Sequence, residues 1–249
     1  MSFEVISQWA SLDPAKIAIN HNGNDISYSS FANAIAETRH YLEVQALDDS
    51  GTIAIIIHDL VDAWVVLLAL QSLGLTTVCV RSTDLFDELA LGELGSIVTT
   101  DVEFSAHHLT DKSEAYRRVI VVSKQVFSSE PMNLKFSAPA VSVQGGHIMY
   151  TSGTTGKYKK LFFPAVMQKA RSRLAADASG MSYETVYHAL NFGLWTAVGY
   201  RMPLLVWEVG GKIIFDQRQN WAHYLLASGL TYSIMTPAMI DELLVFIKE

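Results

Sequence analysis

Cysteine is almost missing from this chain. Among 249 residues there is one, Cys79, set in the apolar run TTVCV. A lone cysteine excludes an intramolecular disulfide framework, and in such a run it reads as a small buried hydrophobe. That usage suits a reducing compartment, so the expected location is cytoplasmic. Basic charge is also short: 18 lysines and arginines stand against 25 aspartates and glutamates, a formal net charge of −7. The deficit excludes a broad electrostatic grip on nucleic acid. The opening MSFEVISQWASLDP has neither the basic residues nor the apolar block of a secretory signal. No stretch reads as an integral membrane segment. The nearest, Ala63 to Val80, carries Gln71, Ser72, Gly74, Thr76 and Thr77 in its second half. Those residues fit a buried helix, a glycine stop and a strand. Repeats and low-complexity tracts are absent as well.

What is present alternates between strand and helix patterns. KIAINHNGNDISY reads as two short strands around Asn22 and Gly23. Ser29 or Ser30 is expected to cap a helix with Phe31, Ala34, Ile35 and Leu42 on one face. TIAIIIH is a continuous apolar run of the kind buried on both faces of a parallel sheet. An apolar helix is expected over 59–73, then strands at TTVCV, SIVTT and RVIVVS. Between Phe127 and Gly146 the pattern weakens, with two prolines and many small polar residues, which suggests a boundary. Beyond it come a strand at GHIMYT, a helix near Val166–Ala176, strands at KIIF and TYSIM, and a helix from Pro237. The expected fold class is α/β, doubly wound sheets flanked by helices. The expected subdomains are 1–135 and 136–249.

One stretch does not look like an ordinary surface loop. HIMYTSGTTGKYKKLFF runs an apolar strand into Thr151-Ser152-Gly153-Thr154-Thr155-Gly156, followed by Lys157, Lys159 and Lys160. Glycines let consecutive amides turn inward as a nest for anionic oxygens, hydroxyls add adaptable donors, and lysines add charge. A Walker loop would need glycine at 151 and Ser or Thr at 158, where Thr151 and Tyr158 stand. A dinucleotide fingerprint would need a third glycine at the first βα turn, and this loop lies mid-chain. Composition alone leaves open an anion cradle or a polar turn with no ligand.

The letters YTSGTTGKYKK closely resemble the phosphate-loop signature of the AMP-forming acyl-ligase superfamily, Y-T-S-G-T-T-G-x-P-K-G. That superfamily holds acyl-CoA and aryl-CoA synthetases, peptide-synthetase adenylation domains and luciferases. Tyr150 to Gly156 match without a break and Lys159 falls on the signature lysine, while Tyr158 replaces proline and Lys160 glycine. DPAKIAINHNGNDISYSSF, TIAIIIHDLVDAWVVLLALQSLGLTTVCV, MPLLVWEVGGKIIF and TYSIMTPAMIDELL are similar to other N-terminal segments of the family. The later motifs, a Y-G-x-T-E segment, a T-G-D segment, a hinge and a lid with a catalytic lysine, have no counterpart here. The chain thus resembles the N-terminal part of such an enzyme, with its second subdomain incomplete, and by itself is expected to be inactive.

The resemblance implies that ATP and a carboxylic acid give an acyl-adenylate and pyrophosphate, with transfer to a thiol, either CoA or a carrier-protein phosphopantetheine. It implies phosphate contacts from Thr151, Ser152, Gly153, Thr154, Thr155, Gly156 and Lys159. It places the Mg2+ ligand outside this chain. Amino-acid-activating relatives pair the substrate ammonium with an acidic side chain after the loop. From Thr185 to Trp207 there is none, which favours a fatty or aromatic acid over an amino acid. Trp195 is expected either as a gate beside the acyl pocket or as plain core. His107-His108 is expected as solvated surface, His188 and His223 as core, and Arg171 and Arg173 as decoration of a helix face. The competing expectations are a non-catalytic half-length paralogue or protein-interaction subunit, or a fragment of an amino-acid adenylation domain.

Overall fold

The computed structural model describes residues 2–45, 47, 51–92, 94–109, 114–123, 145–152, 158–190, 192–216 and 221–248. Among them, strands β1 (Ile17–His21) and β2 (Asn24–Ser27) form a hairpin. Asn22 and Gly23 take φ of 50° and 91°, the left-handed turn that suits a two-residue hairpin. The next helix, α2 (Tyr28–Val44), is capped by Ser27, whose side chain accepts from Ser30 N at 3.1 Å. The cap therefore lies two or three residues before the expected serines, because the strand feeds the helix with no intervening loop.

β3 (Thr52–Ile56), β4 (Thr76–Cys79), β5 (Leu94–Thr99), β6 (Tyr116–Val121), β7 (Gly146–Ser152) and β8 (Tyr158–Pro164) make one sheet, in the order β6-β5-β3-β4-β7-β8. All its pairings are parallel except β7 with β8. A second sheet has the order β11-β9-β10-β1-β2, with β9 (Val186–His188), β10 (Lys212–Phe215) and β11 (Tyr232–Ser233). Strand pairing crosses the expected 135/136 division. β7 and β8 complete the sheet begun by β3, while β10 pairs with β1. The sheets, not the two halves of the sequence, are the units of this fold. The weak segment between Phe127 and Gly146 lies outside the described residues except for its last two.

The helix α3 (Leu60–Ser72) starts at Asp59, whose carboxylate accepts from Val61 N and Asp62 N. Two short helices follow β4 and β5, α4 (Leu85–Glu88) and α5 (Asp101–Ala106). After β8 come α6 (Ala165–Ala178), α7 (Ala197–Glu208), α8 (Trp221–Ala227) and α9 (Pro237–Lys248). The N-terminal Ser2–Leu12 is α1. Trp64 of α3 sits edge-on to Trp207 and stacks on Tyr200, both from α7, so an aromatic cluster joins the layers. Cys79 is buried and burial pushes its thiol pKa up, as an inert core position requires. Among the described residues no helix is long and apolar enough to cross a membrane.

Candidate functional site

The hydroxyl-rich stretch joins two strands that pair antiparallel. β7 and β8 pair from Gly146↔Pro164 up to Thr151↔Lys159 and Ser152↔Tyr158. Gly153, Thr154, Thr155 and Gly156, four of the expected phosphate contacts, lie outside the described residues, as does Lys157. Thr151 and Lys159 are directly opposite, so their side chains share one face of the ribbon. That row continues inward to Met149 and His147, both fully buried. Lys159 is exposed and has no partner among the described residues. Because β7 runs parallel to β3, β4 and β5, its last residue, Ser152, lies at the carboxyl edge of the sheet, the edge on which open α/β folds place ligands.

The two departures from the signature have structural roles. Tyr158 opens β8 opposite Ser152, and its ring stands edge-on to Tyr150 with centroids 6.4 Å apart. Lys160 reaches across and donates from Nζ to the carbonyl of Ala90. The exit of the loop is therefore held by an aromatic pair and a lysine tether. Burial pushes the Tyr150 hydroxyl pKa up to about 12.

Beneath the loop strand lies a buried polar cluster. His147 accepts or donates at Nδ1 to Thr77 Oγ1 of β4 at 2.9 Å, and its ring stacks on Tyr200 at 4.1 Å. Tyr200 in turn accepts from Gln71 Nε2 of α3 and donates to Gln168 Oε1 of α6, both at 2.8 Å. Burial drives the His147 pKa down to about 3, opposed in part by the Leu194 backbone. Nε2 makes no bond of good geometry, yet that backbone lies near enough to favour the charged form slightly. The ring is neutral at physiological pH, and it locks the strand carrying the loop onto α3, α6 and α7. Sequence reading missed this cluster. Single polar residues inside apolar runs look the same whether they are bonded to each other or merely tolerated.

The same carboxyl edge gathers groups from the ends of β3, β4 and β5. The backbone N–H of His58 donates to Glu103 Oε1 at 3.1 Å, and Thr100 Oγ1 donates to Glu103 Oε2. The ring Nε2 of His58 lies 3.0 Å from Arg81 O. The Arg81 guanidinium sits 4.4 Å over the ring of Trp195, a cation–π contact. Trp195 packs its six-membered ring on the backbone of Gly193, where a Cβ would come within 2.2 Å of Cη2. It is half-buried, so it is not core in the manner of Trp64 or Trp207. Nothing in the sequence pointed to Arg81 as the partner of Trp195. The histidine expectations divide. His188 is buried as expected and His108 is exposed as expected, but His107 is half-buried, its ring 5.7 Å from that of His58, and His223 is exposed rather than core because α8 turns it outward. Arg171 and Arg173 decorate α6 as expected.

A sequence model of the family described as AMP-binding enzyme matches residues 6–248. No curated protein matches the sequence. The fold is similar to that of a protein described as a long-chain-fatty-acid CoA ligase from Rhodopseudomonas palustris. The TM-score is 0.76 at 15% identity, covering 97% of this chain and 64% of that one. It is similar to the N-terminal subdomain of Klebsiella oxytoca NpsA in complex with 3-hydroxybenzoyl-AMSN, with a TM-score of 0.72, 18% identity and coverage of 94% and 59%. O-succinylbenzoate coenzyme A synthetase (MenE) from Bacillus subtilis, in complex with AMP, gives 0.74, 19%, 96% and 63%. The chain thus spans less than two thirds of the length of these structural relatives.

Proposed function

The chain belongs to the AMP-binding enzyme family, and from that premise we propose that it forms the nucleotide-holding N-terminal part of an AMP-forming acid–thiol ligase. ATP binds with its β- and γ-phosphates at the β7–β8 turn, contacted by Thr151, Ser152, Gly153, Thr154, Thr155, Gly156 and Lys159. A carboxylate attacks the α-phosphorus in line, and pyrophosphate leaves with growing negative charge. Hydroxyls, amides and the lysine at the turn are donors and charge placed where that develops. The observation that carries this reading is the register Thr151↔Lys159. It puts a hydroxyl and the Lys159 ammonium side by side at the carboxyl edge of a parallel sheet.

The acid is fatty or aromatic. No carboxylate lies between Thr185 and Trp207, the segment that passes Trp195 and enters α7, so a substrate ammonium would find no counter-charge there. Trp195, held by Arg81, borders the acyl pocket. The acceptor is a thiol, CoA or a carrier-protein phosphopantetheine, and the protein works in the cytoplasm. Among the described residues no group of three His, Cys, Asp or Glu could hold a metal ion. Titration of ATP into the protein and its Lys159→Ala variant tests the proposal. Loss of one charge-assisted contact weakens binding by about 1.5–3 kcal/mol, roughly ten- to a hundredfold. Equal affinities would overturn the role of Lys159.

A further inference from the structure

At the end of β8 remote from the turn, β8, α6 and α7 enclose a cleft of about 190 Å³. Its floor and rim include Phe162, Phe163, Met167 and Leu204, and two arginines border it, Arg171 from α6 and Arg201 from α7. Phe162 is 52% exposed and Met167 41%, a considerable amount of apolar surface to leave to water at one place. No aspartate or glutamate lines the cleft. Its other polar groups are already engaged. Gln168 donates to Phe163 O and accepts from Tyr200, and Ser172 donates to Gln168 O. Neither arginine has a partner among the described residues, and both are exposed. A locally cationic mouth over an apolar floor, in a chain of net charge −7, is a complementary surface for one kind of molecule.

We propose that this cleft binds a single anionic amphiphile. The tail lies on Phe163 and Leu204 under Phe162 and Met167, and the carboxylate or phosphate head sits between Arg171 and Arg201. Planar, forked guanidinium groups suit a multi-oxygen anion. The walls come from two helices and a strand and enclose a concave space, which a single chain fills and a flat bilayer surface does not. The site is separate from the phosphate turn. β8 is seven residues long, so at ~3.3 Å per residue its two ends are about 20 Å apart. The proposal does not rest on the nucleotide reading, and neither one fails with the other.

Calorimetric titration with dodecanoate below its micelle-forming concentration tests it. Wild type, Arg171→Gln/Arg201→Gln, Met167→Glu and Trp195→Ala proteins are compared, with dodecyltrimethylammonium as the amphiphile of opposite head charge. All these positions are exposed or half-buried, and circular dichroism melts check that each variant is folded. The expected result is that wild type binds dodecanoate, and that Trp195→Ala loses only what the acyl pocket contributes and keeps the binding that belongs to the cleft. Affinity falls at least tenfold in the double arginine variant and in Met167→Glu, and the cationic amphiphile binds at least tenfold more weakly than dodecanoate. Equal binding by the arginine variant, equal binding of the cationic probe, or no binding to wild type would each overturn the site. Loss of binding only in Trp195→Ala would place the carboxylate at the reaction site instead. Sedimentation with phosphatidylglycerol vesicles in the absence of dodecanoate binding would make the face a membrane contact, which also contradicts the proposal.

Discussion

α3 and α9 are nearly the same length, 13 and 12 residues, and both are rich in large apolar side chains, yet eleven residues of α3 are buried and none of α9 is. α3 is apolar all round, so a helix of that kind needs neighbours on every side. It has them: α2 and β4 on two flanks, and Tyr200 and Trp207 of α7 against Trp64. α9 is amphipathic, with Asp241 and Glu242 between its apolar residues and Lys248 at its end. Leu244 is 49% and Ile247 56% exposed, and the helix is tied down at Trp221 Nε1, which donates to Glu242 at 2.9 Å. Apolar content alone therefore does not decide burial. The distribution of apolar residues around the helix, and what the rest of the chain lays against it, decides.

The largest effect expected on the α3 side comes from acid. His147 is neutral and buried against Tyr200, with a pKa near 3 in the folded state. In the unfolded chain the ring returns to about 6.5. The unfolded state thus takes up a proton that the folded state refuses. The stability due to this group is complete above pH 6.5 and is lost as the pH falls toward 3, by up to about 4–5 kcal/mol. Urea denaturation at pH 7 and pH 4 should show a flatter profile for His147→Phe than for wild type, and parallel profiles would refute the buried neutral ring. Next in size, Trp64→Ala removes the keystone of the aromatic cluster and should cost about 3–5 kcal/mol, read as a shift of the urea midpoint at constant slope. The smallest effect belongs to α9, where Leu244→Gln and Ile247→Gln should each change stability by no more than about 0.5 kcal/mol. A cost of several kcal/mol there would mean that the face is covered in solution.

Local signals carried much of this architecture. The Asn22-Gly23 turn and the strands on either side, the apolar helix over 60–72 and the start of α9 at Pro237 are legible because each is set by residues adjacent in sequence. β8 was not legible. YKKLFFP has no alternation, because as the edge strand it is mostly exposed and two consecutive lysines cost it nothing. TYSIM shrank to Tyr232–Ser233 for the related reason that β11 sits at the other sheet's edge. The interleaving of the two sheets left no local trace, since β1 finds β10 from nearly two hundred residues away. At the site, the motif named Thr151 and Lys159. The supports beneath them, His147, Tyr200, Gln71 and Gln168, became visible only when four elements met.

The central claim is that the β7–β8 turn holds phosphates. Calorimetric titration of pyrophosphate into wild type and into Thr154→Ala/Thr155→Ala tests it most directly, because pyrophosphate carries no base, ribose or acyl group to bind elsewhere. With two charge-assisted hydrogen bonds removed, the account predicts a loss of about 3 kcal/mol or more, over a hundredfold in affinity. Undiminished binding by the double variant would contradict it.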